Sequence, residues 1–101
     1  MEEMHLERLI GNTPMVQISD KIYAKLETYN PSGSIKDRMA YYIISRAIDR
    51  GQLKQGDTIV EATSGNTGIA MSMIGAALGY SVIIIMPRNM SEERKSMMRV
   101  Y

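Results

Sequence analysis

Cysteine, tryptophan and phenylalanine are all absent from this 101-residue chain, which has one histidine and three prolines. Without cysteine there are no disulfides, thiolate metal sites or cysteine nucleophiles. A lone histidine, His5, excludes a multi-histidine metal site and reads as a surface residue, with no carboxylate placed to orient it. The missing disulfides fit a reducing compartment, so a cytoplasmic location is expected. An excess of one charge is missing too: 12 Lys and Arg face 11 Asp and Glu, a net charge of +1. With no basic run of five, neither nucleic acid nor a membrane surface is expected as partner. The opening segment Met1-Glu2-Glu3-Met4-His5-Leu6-Glu7-Arg8 lacks the basic and apolar regions of a secretory signal. One long stretch, 62–87, carries no charge, but a polar turn opens it and Gly79-Tyr80-Ser81 divides it. It therefore reads as a buried helix followed by a buried strand, although Gly75 and Gly79 are spaced like a membrane helix-dimer motif. Ten methionines are present, and Met71, Met73, Met86, Met97 and Met98 are expected to fill core in place of larger aromatics.

The order of elements is legible in what remains. Residues 22–27 alternate as a strand, with Ile22, Ala24 and Leu26 on one face. The cluster Asn30-Pro31-Ser32-Gly33 stops it. A helix is then expected with Ser34 as N-cap and Asp37 answering it three residues on. Ile35, Met39, Tyr42, Ile43 and Ala47 recur at helical spacing, and Gly51 is the expected stop. A strand over 58–62, an apolar helix to about Leu78, a strand over 81–86 and a helix from Ser91 complete the pattern. Strand and helix in alternation predict an α/β fold of βαβ units on a parallel sheet. Parallel strands need cover on both faces, and so few strands imply an incomplete α/β domain.

Two places could carry chemistry. The loop Thr63-Ser64-Gly65-Asn66-Thr67-Gly68 follows a strand and opens a helix. There, backbone N–H groups and the helix N-terminus converge, which suits a carboxylate or a phosphate. It lacks the lysine of a Walker loop and the third glycine of a dinucleotide fingerprint. The plainer alternative is a βα turn capped by its own serine and threonines. The second place is Lys36, in the first turn of its helix, where the macrodipole disfavours a cation. That local conflict suits nucleophilic amine chemistry, though an isolated lysine is usually just solvated.

Taken together, Ile10-Gly11-Asn12-Thr13-Pro14, Asn30-Pro31-Ser32-Gly33-Ser34-Ile35-Lys36-Asp37-Arg38 and Glu61-Ala62-Thr63-Ser64-Gly65-Asn66-Thr67-Gly68-Ile69-Ala70 resemble the opening of the cysteine synthase and cystathionine β-synthase family. Met86-Pro87 followed by Met90-Ser91-Glu92-Glu93-Arg94-Lys95 looks like the family's next segment. These are pyridoxal 5'-phosphate enzymes of the tryptophan synthase β-like fold. The resemblance implies that Lys36 bonds covalently to the cofactor and that Asn66 hydrogen-bonds the cofactor's ring hydroxyl. It also implies that Thr63, Ser64, Asn66 and Thr67 bind the carboxylate of an amino-acid substrate. By the same resemblance, 1–33 is the opening segment of the large domain and 34–101 part of the small domain. The implied reaction is replacement of the β-substituent of an O-activated serine, such as O-acetylserine, by sulfide to give cysteine, in a homodimer. Cystathionine synthesis and diaminopropionate synthesis are alternatives, as is a non-catalytic remnant that binds anions. The family's glycine-rich phosphate cradle and the residue facing the pyridine nitrogen come later in the family's order than Tyr101. The 101 residues by themselves are accordingly expected to turn over little or not at all.

Overall fold

A computed structural model describes residues 5–63 and 65–101. After a 3-10 turn at Leu6–Leu9 come β1 (Met15–Ser19), β2 (Ile22–Lys25) and a second 3-10 turn at Glu27–Tyr29. The chain continues as α1 (Lys36–Asp49), β3 (Thr58–Ala62), α2 (Asn66–Ala77), β4 (Ser81–Ile85) and α3 (Glu92–Val100). β3 and β4 are parallel, Thr58 opposite Ser81 through Ala62 opposite Ile85, with α2 as the crossover. This is the expected βαβ unit. The strand expected at 22–27 does not join it. β2 instead pairs antiparallel with β1, which the alternation did not suggest, and the register slips between Gln17 and Ser19. Both hairpin strands are largely exposed, so the burial pattern that marks a strand in sequence is blurred.

α2 organises the packing. Gly68 through Gly75 are all buried, as befits a helix apolar on every side. Ala70, Met71, Met73 and Ile74 form one core with Ala40 and Ile44 of α1, bordered by Ile59 of β3 and Ile84 of β4. Close approach is achieved by glycine: a Cβ on Gly75 would collide with Cγ2 of Val82, and one on Gly68 would stand 2.6 Å from Cγ2 of Thr63. Gly75 thus serves helix–strand packing, and no helix among the described residues is long and apolar enough to cross a membrane.

The start of α1 corrects the sequence expectation. The helix begins at Lys36, with Ile35 as N-cap and no side-chain cap. Ser34 Oγ accepts from Lys36 N at 3.2 Å, but Asp37 turns away from Ser34 to Ser32. The reason is burial: Asp37 has 0% relative exposure, and Ser32 presents both a backbone N–H and a hydroxyl to it. The far end is as expected, a Schellman stop in which Gly51 has φ +72 and Gln52 N reaches Ala47 O at 2.9 Å. The buried face of α1 is Asp37, Ala40 and Ile44, whereas Ile35, Met39, Tyr42 and Ile43 are exposed. Small Ala40 lets α1 sit close to α2, and the bulkier stripe points outward. Met71, Met73 and Met98 are core as expected; Met86 is half-buried and Met97 exposed.

Candidate functional site

Lys36 is half-buried at the head of α1, and among the described residues its ammonium has no hydrogen-bond or ion-pair partner. Its backbone, by contrast, is hemmed in. On one side, Asn30 is 3% exposed; its Oδ1 accepts from Gly11 N at 2.8 Å, and its Nδ2 donates to Glu27 O at 2.9 Å and Oε2 at 2.8 Å. On the other, Arg38 donates to Glu27 Oε1 at 2.9 Å and to Thr13 Oγ1 at 3.3 Å. Lys25 Nζ donates to Thr13 O in the same cluster. The segment around 10–14 and the lysine-bearing segment, far apart in sequence, are thereby fastened together.

Glu27 is the hub of that network. Desolvation pushes its carboxyl up, but hydrogen bonds from Arg38, Asn30 and Thr13 and the Arg38 charge outweigh it, so the pKa falls below 4.5. The carboxylate therefore keeps its charge, and its grip on Arg38, through the neutral range.

The second place is the turn between β3 and α2. Thr63 N donates to Ile85 O at 2.9 Å, which carries the parallel ladder to the loop's edge. Gly65 is the N-cap of α2 and supplies no side chain, so among the described residues no side chain caps this helix. Thr63 Oγ1 accepts from Gly65 N at 3.4 Å instead. Among the described residues the opening N–H groups of α2 have no side-chain acceptor, the arrangement that receives an anion. Asn66 is exposed and Thr67 half-buried in that first turn; Ser64 lies outside the described residues. The Arg94 guanidinium of α3 closes over the loop, close enough that a Cβ on Gly65 would stand 2.7 Å from Nη1.

α1 and α2 pack against each other through the core, and each carries its candidate residues in its first turn. No hydrogen bond among the described residues joins Lys36 to the loop. A cavity of about 530 Å³ opens elsewhere, between β4 and α3, and neither Lys36, Thr63, Asn66 nor Thr67 lines it. The residues fit pyridoxal phosphate in kind: among those described, an amine without a competing partner and a helix terminus without a side-chain cap, open to an anion. Glu27, Ser32 and Arg94 carry no site signal of their own in the sequence; the charged pair Asp37-Arg38 after the lysine is the available one.

The profile of the family described as "Pyridoxal-phosphate dependent enzyme" matches residues 6–101, and the chain belongs to that family. Among curated relatives, cysteine synthase B of Salmonella typhimurium is 50% identical over 103 residues, covering 95% of this chain and 34% of its own length. A hydrogen sulfide-producing enzyme from Fusobacterium nucleatum superposes with a TM-score of 0.92 at 43% identity, covering 100% of this chain and 35% of that one. An O-acetylserine dependent cystathionine β-synthase from Helicobacter pylori gives 0.89 at 35% identity, covering 99% of this chain and 36% of that one. The chain thus spans about a third of the length of such relatives. The fold is that of the pyridoxal-phosphate enzymes with the tryptophan synthase β-like architecture.

Proposed function

We propose that this chain supplies the lysine and the carboxylate-receiving loop of a cysteine-forming enzyme acting on an O-activated serine, such as O-acetylserine, with sulfide. The observation that carries the reading is the pairing of a Lys36 amine that is unpartnered among the described residues with an α2 N-terminus that none of their side chains caps, each on a helix of the shared core. Fifty per cent identity to a cysteine synthase B, against 35% to a cystathionine β-synthase, favours sulfide over a larger thiol as the nucleophile. The division into a large-domain opening, 1–33, and a small-domain part, 34–101, is supported by the hairpin's separate sheet.

When bound, pyridoxal phosphate supplies an electron sink for the bond cleavages at the substrate's Cα and Cβ. Lys36 Nζ would hold it covalently and, as a free amine, would accept the Cα proton of the substrate. Asn66 would hold the cofactor ring by a hydrogen bond to its hydroxyl. The N–H groups opening α2, with the Thr63 and Thr67 hydroxyls and Ser64, hold the substrate carboxylate. A carboxylate held there fixes the Cα–H bond relative to Lys36 Nζ, which is the geometric demand of the proton transfer.

The test is cysteine formation from O-acetylserine and sulfide by the whole protein bearing these residues, loaded with pyridoxal phosphate. Lys36→Ala is expected to lower the rate by roughly a hundred- to ten-thousandfold. An unchanged rate overturns the reading. A preference for homocysteine over sulfide would shift it to cystathionine synthesis, and the absence of any turnover to an anion-binding remnant.

A further inference from the structure

We infer that Asp37 is a positioning residue for Lys36, acting through Ser32; this rests on the reading of Lys36 as the amine that carries the cofactor. Asp37 is fully buried, and a buried carboxylate is costly unless its oxygens are bonded. Both oxygens are used on one residue: Oδ2 accepts from Ser32 N at 2.8 Å, and Oδ1 accepts from the Ser32 hydroxyl. Ordinary turn capping does not require burial. Asp57 accepts from Lys54 N at 2.8 Å, and Ser91 from Arg94 N at 3.4 Å, both from exposed positions. What sets Asp37 apart is where its bonds lead.

Ser32 and Asp37 close a short loop from inside, and Lys36 leaves that loop one residue before the closure. The loop bends at Gly33, whose φ of +98 only glycine adopts readily, and Gly33 N is held by Asn30 O at 2.8 Å. Thr13, Asn30 and Asp37 are three of the four buried polar residues among the described ones, and all three surround this segment. Buried polar groups with full hydrogen bonding specify one geometry and resist alternatives. The backbone of Lys36 is fixed from both sides, while among the described residues its ammonium has no partner. A flexible four-carbon stem reaches a target more often when its Cα is fixed, because less freedom is lost on arrival. Asp37 itself need not touch substrate or cofactor for this effect.

The experiment treats the chain with pyridoxal phosphate and borohydride and maps the labelled lysines by peptide mass spectrometry. The lysine amine condenses with the aldehyde, losing water, and hydride reduces the C=N bond to a stable amine. Labelling of Lys36 is expressed relative to Lys21, Lys25, Lys54 and Lys95 in the wild-type chain, Asp37→Asn, Ser32→Ala, Ser32→Thr and Ile44→Val. Ile44→Val removes one core methylene remote from the loop and controls for loss of stability. The expected result is wild-type preference for Lys36, about a tenfold loss of that preference in Asp37→Asn and Ser32→Ala, and recovery in Ser32→Thr, which restores the hydroxyl. Ile44→Val is expected to melt earlier yet keep the preference. Wild-type preference retained in Asp37→Asn overturns the positioning role, as does an equal loss in Ile44→Val. A wild-type chain labelled evenly on all five lysines instead overturns the reading of Lys36, and the positioning role with it.

Discussion

Glu27 shows how much of this molecule is decided by single side chains. It joins Arg38, Asn30 and the backbone around Gly11 into one network, and its pKa is lowered in doing so. A carboxyl whose folded pKa is depressed stabilises the fold above its unfolded value, here 4.5, and loses that contribution as pH falls through the folded value. Glu27→Gln should therefore lower the melting temperature at neutral pH, with the gap to wild type closing as pH drops below 4.5. Thermal melts across that window check it, and a gap independent of pH contradicts it. Arg38 was quoted in the sequence only as part of a motif; its partner Glu27 lies eleven residues away, and no local spacing rule connects them. The same holds for Asp37 and Ser32. The capping-box pattern pairs Asp37 with Ser34 three residues before it, whereas the buried carboxylate bonds Ser32, five residues before it.

Among the elements, α2 was the most legible and β1 the least, with α1 right in extent and wrong in its buried face. An uninterrupted apolar run with glycines at its ends and a polar turn before it leaves few alternatives to a buried crossover helix. The stripe on α1 misled because the bulkier side chains, Met39, Tyr42 and Ile43, lie on the exposed side, while the contact with α2 uses Ala40 and Ile44. Small residues at a helix–helix contact carry little hydrophobic signal. The hairpin β1–β2 was half legible: β2 alternates, whereas Met15–Ser19 is short and exposed throughout. The closeness of α2 to β4 gives a direct test. Gly75→Ala places a methyl group against Cγ2 of Val82 at the end of the buried run Gly68 through Gly75. The intrinsic gain of alanine in a helix is about 1 kcal/mol. Overpacking costs about 1–3 kcal/mol and should exceed it. Denaturant unfolding should show net destabilisation, reduced when Val82→Ala is added. A stabilised Gly75→Ala would mean the helix and strand are not held so closely.

On the scale of the whole molecule, the chain is more open than its length requires. The radius of gyration is 15.2 Å, against about 13 Å for a compact domain of this size. Its accessible surface is 7247 Å², where a compact monomer of this mass has about 5,800 Å². α2 covers one face of the parallel pair; on the other, Val60, Ile83 and Ile85 are 57%, 53% and 58% exposed. Parallel sheets are stable when both faces are covered, so this face is the predicted adhesive surface of the isolated chain. Val60→Lys with Ile83→Lys should reduce concentration-dependent light scattering while preserving the helical circular dichroism signal. Equal scattering in the double variant would place the adhesive surface elsewhere. Sequence composition could indicate that an α/β unit with so few strands is incomplete, but which face stays bare depends on α2 crossing on one particular side.

Lys36 is proposed to carry pyridoxal phosphate, with the N-terminus of α2 receiving an anion. Borohydride trapping with peptide mapping, on the wild-type chain beside Lys36→Ala, tests it most directly. Label is expected to concentrate on Lys36, and total labelling to fall sharply in Lys36→Ala. Label distributed evenly over Lys21, Lys25, Lys36, Lys54 and Lys95, unchanged in total by more than one lysine's share in the variant, would contradict it.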